Sequence, residues 1–428
     1  MLRESFYTSR REFLTESLTF LSAASTLPLF LGNTATALGQ DSRPGGRKPE
    51  ERILVVVQLA GGNDGLNMIV PCEMDEYYRA RPRLAVQKKD ALKLAEGVGL
   101  HPSAKGLKEL FDEGHMAVVQ GVGYPNPDRS HFTSMDIWHT ADRDLKQHSG
   151  WLGRYFDACC KGNDPEPEPI EGIALMGEAP MAMQGQRFTP LAFENPDSLA
   201  WRAPRRDAAA EEVFKKLNNI SGDIPTQGKE IEQFLQRAAL KAQVGAEQIR
   251  SAAGASLRGR RGGLFQQGGQ LGGQLQMVAR LILAGLPTRI YYVSMGGFDT
   301  HTAQQARQQR LMEELGNAMN AFIDSLAEHK LLDRVLVMTF SEFGRRVQEN
   351  ASGGTDHGEA APMMFFGGQV RAGVHEKHPS LSELHRGDLP FNIDFRRVYS
   401  SVLRDWLGAK PEKILGNAFP PLKLVKNA

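Results

Sequence analysis

Three apolar runs, each ending in a glycine-rich cluster of acids and histidines, constrain this chain more than any other feature. Ile53–Leu59 leads into Ala60-Gly61-Gly62-Asn63-Asp64-Gly65, and Arg289–Ser294 into Gly296-Gly297-Phe298-Asp299-Thr300-His301. Val335–Phe340 leads into Ser341-Glu342-Phe343-Gly344-Arg345, with Gly354-Thr355-Asp356-His357-Gly358 close behind. Short runs rich in valine and isoleucine are typical of strands buried on both faces of a parallel sheet. In an open α/β sheet the loops at the carboxyl ends of such strands gather at one crevice. Carboxylates and imidazoles from distant parts of the chain then meet, and those side chains hold divalent metal. The pattern predicts an α/β fold with a mostly parallel central sheet, helices on both faces, and a metal-assisted hydrolase site in the crevice at the strands' carboxyl ends.

The remaining strands are expected at Met116–Gln120, Ile170–Leu175 and Met363–Phe366. Asn126 through Trp138 reads as a helix, with Asn126 as N-cap and Pro127 at the first position. A long amphipathic helix should carry Leu311, Leu315, Met319, Phe322 and Leu326 on one face, and Val398–Leu407 a C-terminal helix. Between about 201 and 274 the composition shifts to Ala, Gln, Glu and Lys, with helical patterns at Asp207–Leu217 and Lys229–Ala252. Glycine pairs follow, ending at Gly273, and Leu275–Ala284 is expected as the next helix. This region reads as a helical insertion with a mobile Gly/Gln loop or as a plain surface excursion.

Lys and Arg total 51 against 50 Asp and Glu, a formal net charge of +1. That balance gives no basic footprint for nucleic acid and favours a small ligand. Residues 1–37 have the parts of an export signal: Ser9-Arg10-Arg11-Glu12-Phe13-Leu14, an apolar small-residue stretch from Leu18 to Leu31, and Ala35-Thr36-Ala37. The paired arginines resemble a twin-arginine signal, making the export machinery a partner and the periplasm the destination. Residues 38–51 read as a linker and 52–428 as one α/β domain bearing the insertion. No later run is long and apolar enough to span a bilayer in the mature form. Cys72, Cys159 and Cys160 are too few and too badly spaced for a disulfide scaffold.

Asp299 and His301, two apart in an extended loop, point the same way and can address one ion; Asp299 as a helix cap is the plainer alternative. Asp64 is either a ligand or part of an Asn-Asp-Gly turn. Glu342 and Arg345 read as ligand and anion clamp, or as an ion pair with each other. Asp356 and His357 fit a ligand pair or an Asp–His pair behind the metal. In Arg129-Ser130-His131-Phe132, Ser130 falls at a helix start, where it is a candidate nucleophile beside Arg129 or simply a capping serine.

On Gly61-Gly62-Asn63-Asp64-Gly65-Leu66-Asn67, Arg129-Ser130-His131-Phe132, Gly296-Gly297-Phe298-Asp299-Thr300-His301, Ser341-Glu342-Phe343-Gly344-Arg345 and Thr355-Asp356-His357-Gly358, the chain is identified as a member of an exported bacterial family, domain of unknown function 1501. That family resembles the alkaline phosphatase and sulfatase superfamily in the order of its parts. The resemblance implies an alkaline-phosphatase-like fold, a divalent metal (zinc, calcium or manganese) and a small anionic ester substrate. Asp64, Ser130, Asp299 with His301, Glu342 and His357 fall in the superfamily's order. Joined with the reading of the residues, this puts Asp64, Asp299, His301, Glu342, Asp356 and His357 around metal, and Ser130, Arg129, His131 and Arg345 at the chemistry. Phe343 stands where the superfamily's Asp-His-Gly has its metal-binding histidine, so one of two metal sites is expected to be altered or lost. No Cys-x-Pro-x-Arg motif supplies a formylglycine nucleophile. Two readings follow: an exported phosphate- or sulfate-ester hydrolase, or a catalytically lapsed relative that binds a ligand or protein.

Overall fold

The run Ile53–Leu59 forms a central strand whose residues are buried on both faces, as its valines require. In the computed structural model, which describes residues 52–159, 169–199 and 245–426, the strands in chain order are β1 Ile53–Leu59, β2 Ile69–Pro71, β3 Leu92–Ala95, β4 Val98–Leu100, β5 Met116–Gly123, β6 Gly172–Ala174, β7 Leu191–Ala192, β8 Ile290–Met295, β9 Val335–Phe340, β10 Ala361–Phe366, β11 Gly373–His375 and β12 Ile393–Asp394. The main sheet runs β11-β5-β10-β9-β1-β8-β6-β7, with β12 also on β5. All its pairings are parallel except those of β10, which runs against both β5 and β9. β2, β4 and β3 make a small separate sheet. The described residues fall into two units, 195–199 with 245–250, and the remainder that carries the main sheet.

Alternate residues of the central strands face opposite layers. Leu54, Val56, Ile290, Tyr292, Leu336 and Met338 join a core with Trp138, Trp151, Phe395 and Tyr399, contributed by the helices His131–Thr140, Trp151–Cys159 and Phe395–Ser401. Val55, Val57, Tyr291, Val293 and Val337, on the other face, are equally buried. There the helices Lys105–Asp112 and Gly269–Leu283 pack on β5 and β8, and the long helix Gln304–Glu328 packs on both. Burying each Val, Leu or Ile in such a layer contributes roughly 1.5–3 kcal/mol relative to leaving it exposed.

Two helices begin elsewhere than their sequence patterns predict. The helix expected from Asn126 starts at His131, with Ser130 as N-cap. Asn126 is left-handed (φ 50°), and Asp128 folds back to accept from the Ser130 amide at 2.7 Å, a local turn that competes with helix. The helix expected at Leu275–Ala284 spans Gly269–Leu283 with Gly268 as N-cap, so the last two glycine pairs lie at its start, while Gly262 and Gly263 lie in a turn. A Cβ at Gly268 would sit 2.7 Å from that of Ala318; the glycine is there for close helix contact. The leader at 1–37, the linker at 38–51 and the predicted helix Asp207–Leu217 lie outside the described residues, as does most of Lys229–Ala252. Among the described residues no helix is long and apolar enough to cross a membrane.

Candidate metal centre

β1 lies between β8 and β9, and the register sets their ends level: Leu59 opposite Met295 on one side, Gln58 opposite Phe340 on the other. The three clusters therefore leave the sheet side by side. The Ser341 hydroxyl donates to the Leu59 carbonyl (2.7 Å) and accepts from the Asn63 amide (2.9 Å), tying the first loop to the third. Gly61, at φ 118°, lets the first loop lie against the main chain of Phe298 and Asp299, where a Cβ would collide with backbone. An isolated antiparallel bridge between Arg345 and His357 brings in the Asp356-His357 loop.

Three imidazoles and one carboxylate converge. From Asp299 Oδ1, Nε2 of His301 lies 3.0 Å away, that of His357 3.3 Å and that of His131 3.7 Å. His131, Asp299 and His357 each present a ligand atom within 4.8 Å of the others, and His301 Nε2 lies 2.9 Å from His357 Nε2. Each ring is held from behind through Nδ1: His131 by Glu342 Oε1 (2.7 Å), His357 by the Arg129 carbonyl (2.8 Å) and His301 by Asp356 Oδ1 (3.1 Å). In rings that keep their proton on Nδ1 for those acceptors, the Nε2 lone pairs face one another and a carboxylate oxygen. A proton or a metal cation among them neutralises that arrangement. The residues fit a metal: three nitrogens and one oxygen, with a hydrogen-bonded group behind each histidine, form a donor set suited to a zinc-like ion.

The structure redistributes the roles expected from sequence. His131, placed with the catalytic residues, stands among the ligand atoms. Glu342, expected as a ligand, is buried behind it and also accepts from the Gly61 amide at 2.9 Å. Asp356 stands behind His301, sharing Oδ1 with Asn350 Nδ2. Asp299 caps no helix; the following helix has Ala303 as N-cap with no side-chain bond.

Asp64 is taken up elsewhere. Arg81 Nη1 donates to both its oxygens (2.8 and 2.7 Å), and the Gln304 amide donates to Oδ2. Asp64 also accepts from the Asn67 amide, so the turn reading describes its loop. Arg345 is not paired with Glu342, and its donors go to acceptors of the protein. Its buried guanidinium donates to the carbonyls of Gly61, Gly62, Phe298 and Thr355 and to Asp299 Oδ1 (2.6 Å). Burial pushes the Asp299 carboxyl up, but the Arg345 hydrogen bond and charge, with His357 and His301, hold it down at about 2. Burial lowers the His357 imidazole, helped by the Arg345 charge and opposed by its bond to the Arg129 carbonyl. Arg129 itself is held by buried Asp388, with Glu359 3.7 Å away. Ser130 is exposed and its side chain makes no cap bond.

Phe343 is buried with its ring centroid 4.9 Å from that of His131 and 4.6 Å from that of His357, an apolar wall beside both rings. Sequence reasoning missed Arg81, Gln304, Asp388 and Glu359, whose only signal is a charged or amide side chain in an otherwise ordinary stretch.

A family model described as protein of unknown function (DUF1501) matches residues 51–383. The chain belongs to the DUF1501 family. No curated protein matches it. Among solved structures, Ps i-CgsB is 10% identical with a TM-score of 0.32, over 77% of this chain and 70% of that one. Ps i-CgsB in complex with k-i-k-neocarrahexaose gives 10% and 0.33, over 85% and 78%. A Bacteroides thetaiotaomicron protein of glycosaminoglycan metabolism, BT33494S-sulf, gives 8% and 0.33, over 77% and 70%. That likeness is weak and goes no further than a loose common outline.

Proposed function

We propose that this DUF1501 protein is an exported metal-dependent hydrolase of a phosphate or sulfate ester. The observation that carries the reading is the set of three histidines anchored through Nδ1, with every Nε2 turned toward Asp299. A divalent ion bound by His131, Asp299, His301 and His357 would supply Lewis-acid polarisation of an ester oxygen. Around it the chain's own groups divide the work. Glu342, Asp356 and the Arg129 carbonyl aim the imidazoles, and Arg345 fixes Asp299 against three loops. Phe343 keeps water from one side of His131 and His357. Ser130, whose exposed hydroxyl immediately precedes His131, is the nucleophile. Its oxygen would bond to phosphorus or sulfur as the alcohol departs, and water would then release the oxyanion. The twin-arginine-like leader supports action outside the cytoplasm.

Phosphate and sulfate monoesters and diesters with chromogenic leaving groups, offered to metal-replete protein, test the reading. Turnover that disappears in Asp299→Ala and Ser130→Ala is the expected result. Metal-loaded, folded protein with no turnover on any of them would refute hydrolysis. It would favour the ligand-binding reading, to which Phe343 in the place of a metal-binding histidine lends support.

A further inference from the structure

An anionic ester needs a cation that is free to meet it, and the two arginines expected in that role are committed. Arg345 is buried and spent on four carbonyls and Asp299; Arg129 is held by Asp388 and Glu359. Asp299, Glu342 and Asp356 bring three negative charges to the centre and Arg345 returns one positive. A divalent ion would make the sum zero, leaving no net attraction for an anion.

Arg307 lies at the rim of this centre. It sits at the start of the helix Gln304–Glu328, six residues after His301, and its Nη1 lies 3.4 Å from the carbonyl oxygen of Asp299. The guanidinium is thus against the main chain of the central ligand. The side chain is exposed, that long bond occupies one of its donors, and it has no carboxylate partner among the described residues. The first turn of its helix carries no acidic residue. A guanidinium with several unused N–H groups is suited to a tetrahedral oxyanion.

Building on the hydrolase reading, we infer that Arg307 binds the charged head of the substrate, and that the site is matched to a singly charged tetrahedral ester. With Arg307 the assembled centre carries one net positive charge, which a sulfate monoester or phosphodiester neutralises. For a doubly charged phosphate monoester the attraction doubles while the desolvation cost grows about fourfold with the square of the charge.

Isothermal titration calorimetry of zinc-loaded full-length protein at pH 8, where methyl phosphate is doubly charged, tests this with methyl sulfate, dimethyl phosphate and methyl phosphate. Metal content is measured on the same samples. Wild type should bind one or both singly charged anions more tightly than methyl phosphate, and which of the two is tighter separates sulfate from phosphodiester. Arg307→Gln should weaken that binding about tenfold with metal content unchanged, and Arg307→Lys should recover part of it. Unchanged affinity in metal-bearing Arg307→Gln, tightest binding of methyl phosphate, or no binding of any probe to metal-loaded wild type would overturn the inference. Wild type that takes up no metal would instead bring down the hydrolase reading beneath it.

Discussion

Asp64→Ala should destabilise the fold by about 3–5 kcal/mol while leaving metal stoichiometry unchanged. Arg81 has no solvent exposure and Asp64 almost none, so removing the carboxylate strands a buried guanidinium. The remaining donors of Arg81 go to the carbonyls of Val347 and Arg346 and to Asn67 Oδ1, none of which neutralises it. Gln304, which donates to Asp64, also accepts from the hydroxyls of Thr300 and Thr355; the loss would loosen the loops on both sides of His301. Urea denaturation measures the cost, and Asp64→Ala/Arg81→Met should recover part of it by removing the stranded charge. A stable Asp64→Ala protein that had lost its metal would instead make Asp64 a ligand.

Arg345→Met should cost a comparable or larger amount. One side chain ties together the loops after β1, β8 and β9 and the segment carrying His357, and each bond lost leaves a buried carbonyl without its donor. Asp299 would also lose the cation that holds its carboxylate, so metal affinity should fall with stability. Arg345→Lys should rescue little, because one ammonium cannot reproduce a planar fork spread over several acceptors. Denaturant midpoints and metal content of the three proteins check this. A normally stable Arg345→Met with weakened anion binding alone would restore Arg345 as the clamp.

Much of the architecture was legible because it rests on local pattern. The bounds of β1 and β9 follow from valine-containing, mostly apolar runs, and the long helix from the spacing of Leu311 to Leu326. The meeting of the clusters was legible too, since loops after neighbouring parallel strands must lie together. The division of labour was not. Whether a carboxylate touches metal or stands behind a histidine depends on geometry a few ångströms deep: Glu342 and His131 are 211 residues apart. Asp64 looked like a ligand because Arg81, 17 residues on, and Gln304, 240 residues on, carry no motif. The glycine pairs near 268–273 read as slack because composition cannot distinguish a flexible glycine from one needed for close helix packing.

The most direct test of the account is metal content. Folded wild-type protein, equilibrated with zinc, manganese and calcium in turn and freed of excess, is analysed by inductively coupled plasma mass spectrometry beside His301→Ala/His357→Ala and Asp64→Asn. The account predicts one tightly held divalent ion per chain in wild type and in Asp64→Asn, and none in the double histidine variant. Folded wild type that retains none of the three metals, or a double variant that keeps its ion, would contradict it.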